Sequence, residues 1–239
     1  MRLQGKVALV TGAGRNIGRA IATLFAAEGA QLIIGTGSNA ASLAETARVC
    51  REHGADVLEV LGDVASPQDT ANMVQQGQDR FGRIDLLINT VAVRPGIRFA
   101  DLTWEDWQHV VNVNLGGSFL LSKLVVPGMI ERKSGSIVAF GGLNAMTGGG
   151  GGPNNAAKMG LLGFVRGLAI ELAPHNVRVN MIVPGRIATE GRTNNPEDIP
   201  MLRRGTPDEV ARATLFLASD DAAYVTGERI MVTGGRTNL

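Results

Sequence analysis

Short apolar runs alternate along the chain with longer stretches whose apolar residues recur at helical spacing. KVALV (6–10), QLIIG (31–35), DVLEVL (56–61), IDLLIN (84–89), SIVAF (136–140), VRVNMIV (177–183) and ERIMV (228–232) read as strands, being aliphatic or β-branched runs bounded by turn formers. Residues 17–30, 40–53, 104–129 and 155–172 read as helices, and two further helices start at Ser66-Pro67-Gln68-Asp69 and Thr206-Pro207-Asp208-Glu209. Ser66, Thr103 and Thr206 are placed to cap free amides, Pro67 and Pro207 suit the first helical position, and Glu209 completes a capping box. Gly116 and Gly117 are a weak point in what is otherwise one long helix over 104–129. Strands this apolar must be covered on both faces, which predicts an α/β, doubly wound parallel sheet of about seven strands with helices on both sides. The ligand site is then expected at the carboxyl ends of the strands, where strand order reverses.

The chain of 239 residues, 44% hydrophobic, is read as one domain over 1–239. With 23 basic and 22 acidic residues and no basic run, neither nucleic acid nor an anionic membrane is an expected partner. The lone Cys50 has no disulfide partner, is expected to be buried, and leaves no basis for a compact metal cluster. MRLQGKVALV is too short in its apolar run for a signal peptide, and no uninterrupted apolar stretch approaches membrane length, so a cytoplasmic location is expected. His53, His109 and His175 fall on helices or helix ends and read as surface or packing residues.

TGAGRNIG (11–18) follows the first strand and opens the first helix. Glycines there admit close approach of a pyrophosphate to the backbone, and the helix amides hold its charge. Together with GDV (62–64), LIN (87–89), VNVNLGG (111–117), Lys158, VRVNMIVPG (177–185) and FLASDDAAYVTGERIMVTGG near the end, this loop resembles the short-chain dehydrogenase/reductase family over nearly the whole chain, most of all its 3-oxoacyl carrier-protein reductase branch. The resemblance implies a Rossmann-type fold and a nicotinamide cofactor held by Gly12, Gly14, Arg15, Asn16, Ile17, Gly18, Thr36, Asp63, Val64, Asn89, Lys158, Pro184, Gly185 and Ile187. The family's middle loop glycine is Asn16 here, a residue that tolerates the left-handed conformation. Its Asn-Asn-Ala-Gly run appears as Asn89-Thr90-Val91-Ala92. IIGTGSN (33–39) ends the second strand without the acid that would bond ribose hydroxyls, while Arg15, Thr36 and Ser38 suit a 2′-phosphate, so NADP is preferred and NAD is the alternative.

Relatives protonate the reduced carbonyl from a tyrosine four residues before a lysine, with a serine on the substrate oxygen and an asparagine anchoring a water relay. Asn114 matches the asparagine and Lys158 the lysine, but the tyrosine position holds Asn154 and the serine position falls on Gly141 or Gly142. An amide donates a hydrogen bond without releasing its proton. Loss of a positioned general acid costs about 10²- to 10⁴-fold in rate. The one tyrosine, Tyr224, lies before the last strand and reads as structural; Asn144 and Thr147 are nearer replacement donors, beside the flexible glycines 148–152. Three readings stand at this point: an oxidoreductase acting on a small carbonyl or alcohol with an atypical proton donor, a catalytically silent nucleotide-binding relative, and a non-redox elimination or hydration enzyme. The resemblance also implies a homotetramer, and places Arg192, Asn194-Asn195-Pro196, Arg203 and Arg204 in a substrate loop where the arginines read as solvated charge.

Overall fold

The computed structural model describes residues 1–191 and 197–236; Arg192 and the Asn194-Asn195-Pro196 turn lie outside the described residues. Seven strands, β1 (Val7–Thr11), β2 (Gln31–Thr36), β3 (Val57–Leu61), β4 (Leu86–Asn89), β5 (Gly135–Phe140), β6 (Val177–Pro184) and β7 (Arg229–Val232), form one sheet in the order β3-β2-β1-β4-β5-β6-β7. Every neighbouring pair is parallel. Eight α-helices connect them: α1 (Asn16–Ala27), α2 (Ala40–Glu52), α3 (Pro67–Phe81), α4 (Trp104–Val111), α5 (Gly117–Glu131), α6 (Leu143–Thr147), α7 (Gly152–Leu172) and α8 (Pro207–Ala218).

Alternate residues of β1 face opposite cores, as a strand's two-residue period requires. Ala8 and Val10 join the core that includes Phe25 of α1 and Leu215 of α8, while Val7 and Leu9 join the core that includes Val74 of α3, Leu121 of α5 and Val165 of α7. Cys50 is fully buried, and desolvation pushes its thiol up to about 11.

The predicted strands all form, and two helices differ from expectation. The run over 104–129 is interrupted at its glycines by a wide π-type turn, Asn112–Gly116. A Cβ at Gly117 would stand 2.9 Å from Val64 Cγ2, so the chain after β3 needs this bare backbone. Such turns inside helices are frequent at functional sites because they redirect one side chain. The α7 helix starts at Gly152, three residues earlier than expected, and the short α6 was not anticipated. The combined run Trp104–Glu131 is apolar and long enough to cross a membrane by composition, yet its α5 part packs on α3, β4 and β5.

Strand order reverses between β1 and β4, so their connections leave in opposite directions and open a crevice at the carboxyl edge. Opposite faces of that edge are braced by hydrogen bonds: the Thr11 hydroxyl donates to Asn89 Oδ1 (2.6 Å), Asn89 Nδ2 to the Ser118 hydroxyl (2.9 Å), and the Thr90 hydroxyl to the Thr11 carbonyl (2.8 Å).

The capping box predicted for α8 is formed, with Glu209 N donating to the Thr206 hydroxyl and Thr206 N to Glu209. Arg203 pairs with the same carboxylate at 2.6 Å and, with the Thr206 amide, holds it down to about 2. This carboxylate therefore stabilises the folded state at neutral pH and the contribution is lost as pH falls from its unfolded range toward 2. Thr206→Ala is expected to cost about 1 kcal/mol, read as a lower urea midpoint at unchanged slope.

Candidate active site

A cleft of about 1480 Å³ follows the crevice from the β1–α1 loop, past the ends of β4 and β5, to the loop after β6. At one end, α1 begins at Asn16 with no side chain capping its amides, because the residue before it is Arg15 in extended conformation. Those amides therefore remain available to an anion, favoured by the positive end of the helix dipole. The turn is tight: a Cβ at Gly18 would stand 2.1 Å from the Gly12 carbonyl oxygen, and Asn16 adopts φ 50° in the left-handed region as its residue type allows. Arg19, which the sequence reading did not single out, braces the loop by donating to the Gly14 carbonyl (2.6 Å) and the Thr46 hydroxyl (3.0 Å).

Arg15, Thr36 and Ser38 line this end together with Gly37, Asn39 and Ser42, none of which is acidic. Arg15 makes an ion pair with Glu190 at 3.6 Å, with both side chains mostly exposed. Such a pair contributes little and yields readily to a competing anion.

At the other end, the first two turns of α7 bring Asn154 and Lys158 to the cleft wall on one helix face. The π-turn aims Asn114 at them from beneath: it accepts from Val93 N (2.8 Å) and donates to the Val93 carbonyl (2.9 Å) and to Asn154 Oδ1 (3.0 Å). Both amide protons of Asn114 are thus used, and Asn154 is locked with its own NH₂ group turned toward Gly142. Lys158 is 2% exposed. Among the described residues its ammonium has no hydrogen-bond partner, and desolvation, aided by the nearby charge of Arg94, brings it down to about 7.

The two glycines between which the sequence left the choice are now distinguishable. A Cβ at Gly142 would make ordinary contacts, 3.5 Å from Lys158 Cγ and 3.8 Å from Asn154 Nδ2, whereas one at Gly141 would press on Met181 Sδ (2.8 Å) and Val183 Cγ2 (2.9 Å). Only Gly142 faces the lysine.

Comparison with known proteins gives this geometry its context. A family model described as enoyl-(acyl carrier protein) reductase matches residues 12–237. The 3-oxoacyl-acyl-carrier-protein reductases FabG of Thermotoga maritima and Escherichia coli are 39% and 36% identical, each alignment covering 98% of this chain and 99% and 98% of the relative. The crystal structure of levodione reductase superposes with a TM-score of 0.92 at 32% identity, covering 99% of both chains. The chain belongs to the short-chain dehydrogenase/reductase family.

Within this short-chain dehydrogenase/reductase, Gly12, Gly14, Arg15, Asn16, Ile17, Gly18, Thr36, Asn154, Lys158, Pro184, Gly185 and Ile187 line the cleft. Asn89 and Asn114 stand behind its wall, buried and engaged in the bonds described. Asp63 and Val64, expected on the cofactor, lie outside the lining at the end of β3: Asp63 accepts from Ala65 N (2.9 Å) and Val64 is buried. Of the replacement donors, Asn144 lines the cleft; Thr147 does not, and its hydroxyl donates to the Leu143 carbonyl. The glycine segment is tied down where Asn155 Nδ2 donates to the Gly149 carbonyl and the amides of Gly148 and Gly149 donate to the Asn144 carbonyl.

Tyr224 is fully exposed and lines no part of the cleft, and none of the three histidines reaches it. Arg203 is engaged by Glu209, while Arg204 lines the cleft. Arg94, Arg98, Arg186 and Arg236 are lining cations the sequence reading missed. No local motif marks them, since each reaches the cleft only through the fold.

The two glycines make opposite predictions. Gly141→Ser is expected to destabilise the protein by about 1–3 kcal/mol through overpacking. Gly142→Ser is expected to leave the thermal midpoint within about a degree or two, since its contacts are unstrained.

Proposed function

We propose that the protein is an NADP(H)-linked oxidoreductase that transfers hydride to or from a small carbonyl or alcohol. The observation that carries this reading is the continuity of one cleft between an uncapped, glycine-lined α1 terminus and the Asn154–Lys158 pair. A dinucleotide fits the residues present. The α1 amides and the Gly12–Gly18 turn would take the pyrophosphate, Pro184, Gly185 and Ile187 would border the nicotinamide, and Lys158 would bond its ribose. Arg15, Thr36 and Ser38 would take a 2′-phosphate, and the absence of a carboxylate from the described lining beside them supports NADP over NAD. When bound, the nicotinamide would supply or accept the hydride.

The chain's own groups then orient the substrate. Asn114 fixes Asn154 through Oδ1, which leaves Nδ2 to donate to a substrate oxygen, an electrostatic contribution that involves no proton release. The family resemblance assigns the tyrosine position to Asn154 and the serine position to Gly141 or Gly142, and a silent nucleotide-binding relative is the second reading because none of these residues carries a hydroxyl. The relatives' names point to carbonyl reduction of small or carrier-bound substrates, and a cytoplasmic location is part of the same proposal.

Assembly is proposed to be homotetrameric. Phe119 of α5 and Met159 and Ile170 of α7 are large apolar side chains exposed on this chain, and their burial between subunits would stabilise association.

Calorimetric titration is expected to show NADPH binding more tightly than NADH. Arg15→Ala is expected to weaken NADPH by about tenfold, about 1.4 kcal/mol, with little effect on NADH. In a carbonyl panel, the Gly142→Ser/Asn154→Tyr double variant is expected to oxidise NADPH faster than the natural protein. Failure of either nucleotide to bind would end the reading. Substrate consumption without any change in nicotinamide absorbance would instead favour elimination or hydration.

A further inference from the structure

Reduction of a carbonyl needs a proton as well as a hydride, and few groups in this cleft have one to give. Among the described lining residues, the ionisable side chains are Lys158 and arginines; no Asp, Glu, His, Cys or Tyr is present. Arginine does not deprotonate in proteins. The Asn154 amide is a donor only. Lys158, by contrast, is buried, reaches the cleft wall, and has no hydrogen-bond partner among the described residues.

The geometry leaves room for a substrate oxygen beside it. Nδ2 of Asn154 faces Gly142, and the missing side chain of Gly142 leaves open space 3.5 Å from Lys158 Cγ. An oxygen accepting from Asn154 in that space sits beside the lysine stem, one helical turn from Asn154 on the same face of α7.

We propose that Lys158 is itself the proton-exchanging group of this cleft, a general acid that protonates a carbonyl oxygen held by Asn154. This rests on the oxidoreductase reading. In the reducing direction, a dihydronicotinamide is the hydride source. The substrate's C=O π pair moves onto oxygen, an oxygen lone pair takes a proton from Lys158 Nζ as the N–H bond breaks, and an alcohol and a neutral amine result. The amine then regains its proton from water. In the oxidising direction the neutral amine accepts the hydroxyl proton.

The surroundings of Lys158 suit both roles. Burial and the charge of Arg94 bring it to about 7, where both protonation states are populated near neutral pH. Of the elements packed on α7, α4 carries Glu105, Asp106 and His109, and β6 carries Arg178. Glu105 and His109 are exposed, Asp106 is taken by the Thr103 cap, and Arg178 donates to the carbonyls of Leu217 and Ser219.

The test compares the full-length natural protein with Lys158→Arg and Lys158→Met. Independently of turnover, nuclear magnetic resonance of isotope-labelled lysines, assigned by the loss of one signal in Lys158→Met, is expected to show a Lys158 midpoint near 7. A lysine lowered on folding binds fewer protons than in the unfolded chain between about pH 7 and 10.5, so stability rises with pH over that range. Lys158→Met is expected to abolish that part of the rise in unfolding midpoint. In turnover, NADPH oxidation by the natural protein is expected to fall as pH passes above about 7, and Lys158→Arg is expected to lose about 10²- to 10⁴-fold in kcat. Its NADPH dissociation constant, measured alongside, separates loss of the ribose contact from loss of the acid, and kcat is expected to fall by a larger factor than the dissociation constant rises.

A Lys158 midpoint above about 9, near that of a free lysine, overturns the proposal. Turnover that survives Lys158→Arg with an unchanged pH profile overturns it too, while leaving the oxidoreductase reading in place. NADPH binding without any carbonyl reduction by the natural protein overturns both.

Discussion

The reversal of strand order between β1 and β4 is the constraint on which the rest of the structure depends. Because the strands are parallel and covered on both faces, their connections must leave to opposite sides at that point, and no helix seals the carboxyl edge there. The gap is held at fixed width by short polar links between β1 and β4, chiefly Thr11 to Asn89 and Thr90 to Thr11. Each glycine or polar residue at that edge is then chosen by proximity. Gly18 lies against the Gly12 carbonyl, and Thr90 presses close to where a Gly12 side chain would stand.

The electrostatics of the cleft follow from what the fold collects along it. The described lining contains six arginines and Lys158 with no carboxylate, although the whole chain has nearly equal numbers of acids and bases. Asp198 partly compensates by pairing with Arg186 (2.8 Å) and Arg236 (2.6 Å), and Glu190 pairs with Arg15. The remaining positive bias, together with the α1 terminus, favours an anionic ligand. The same bias works against protonation of Lys158, which is already out of water. Desolvation and like charge therefore act in one direction on a group whose charged form nothing in the described cleft neutralises.

The local signals in the sequence were reliable where one short segment decides the outcome. Ser66, Thr103 and Thr206 all cap as their spacing implies, and Asn16 takes the left-handed conformation its side chain tolerates. The interruption of the long helix was legible as two glycines but not as a π-turn, because that geometry depends on Val64 packing against Gly117 and on Asn114 meeting Val93. The position of Asp63 and Val64 outside the cleft lining was likewise invisible. Their motif fixes the end of β3 but not where the crevice stops.

By itself, then, the sequence determined the alternation of apolar strands and amphipathic helices, the phosphate-type turn after β1, the family, and the pairing of Asn154 with Lys158 on one helix face. Those features are set by periods of two and about 3.6 residues and by the backbone preferences of individual residues, all of which are local. Only the tertiary structure decided that Gly142 faces Lys158 while Gly141 faces the core, that Tyr224 stands in solvent, and that Arg94 acts on a lysine 64 positions away. Burial and charge at one atom are sums over neighbours brought together from the whole chain, and no window of sequence contains them.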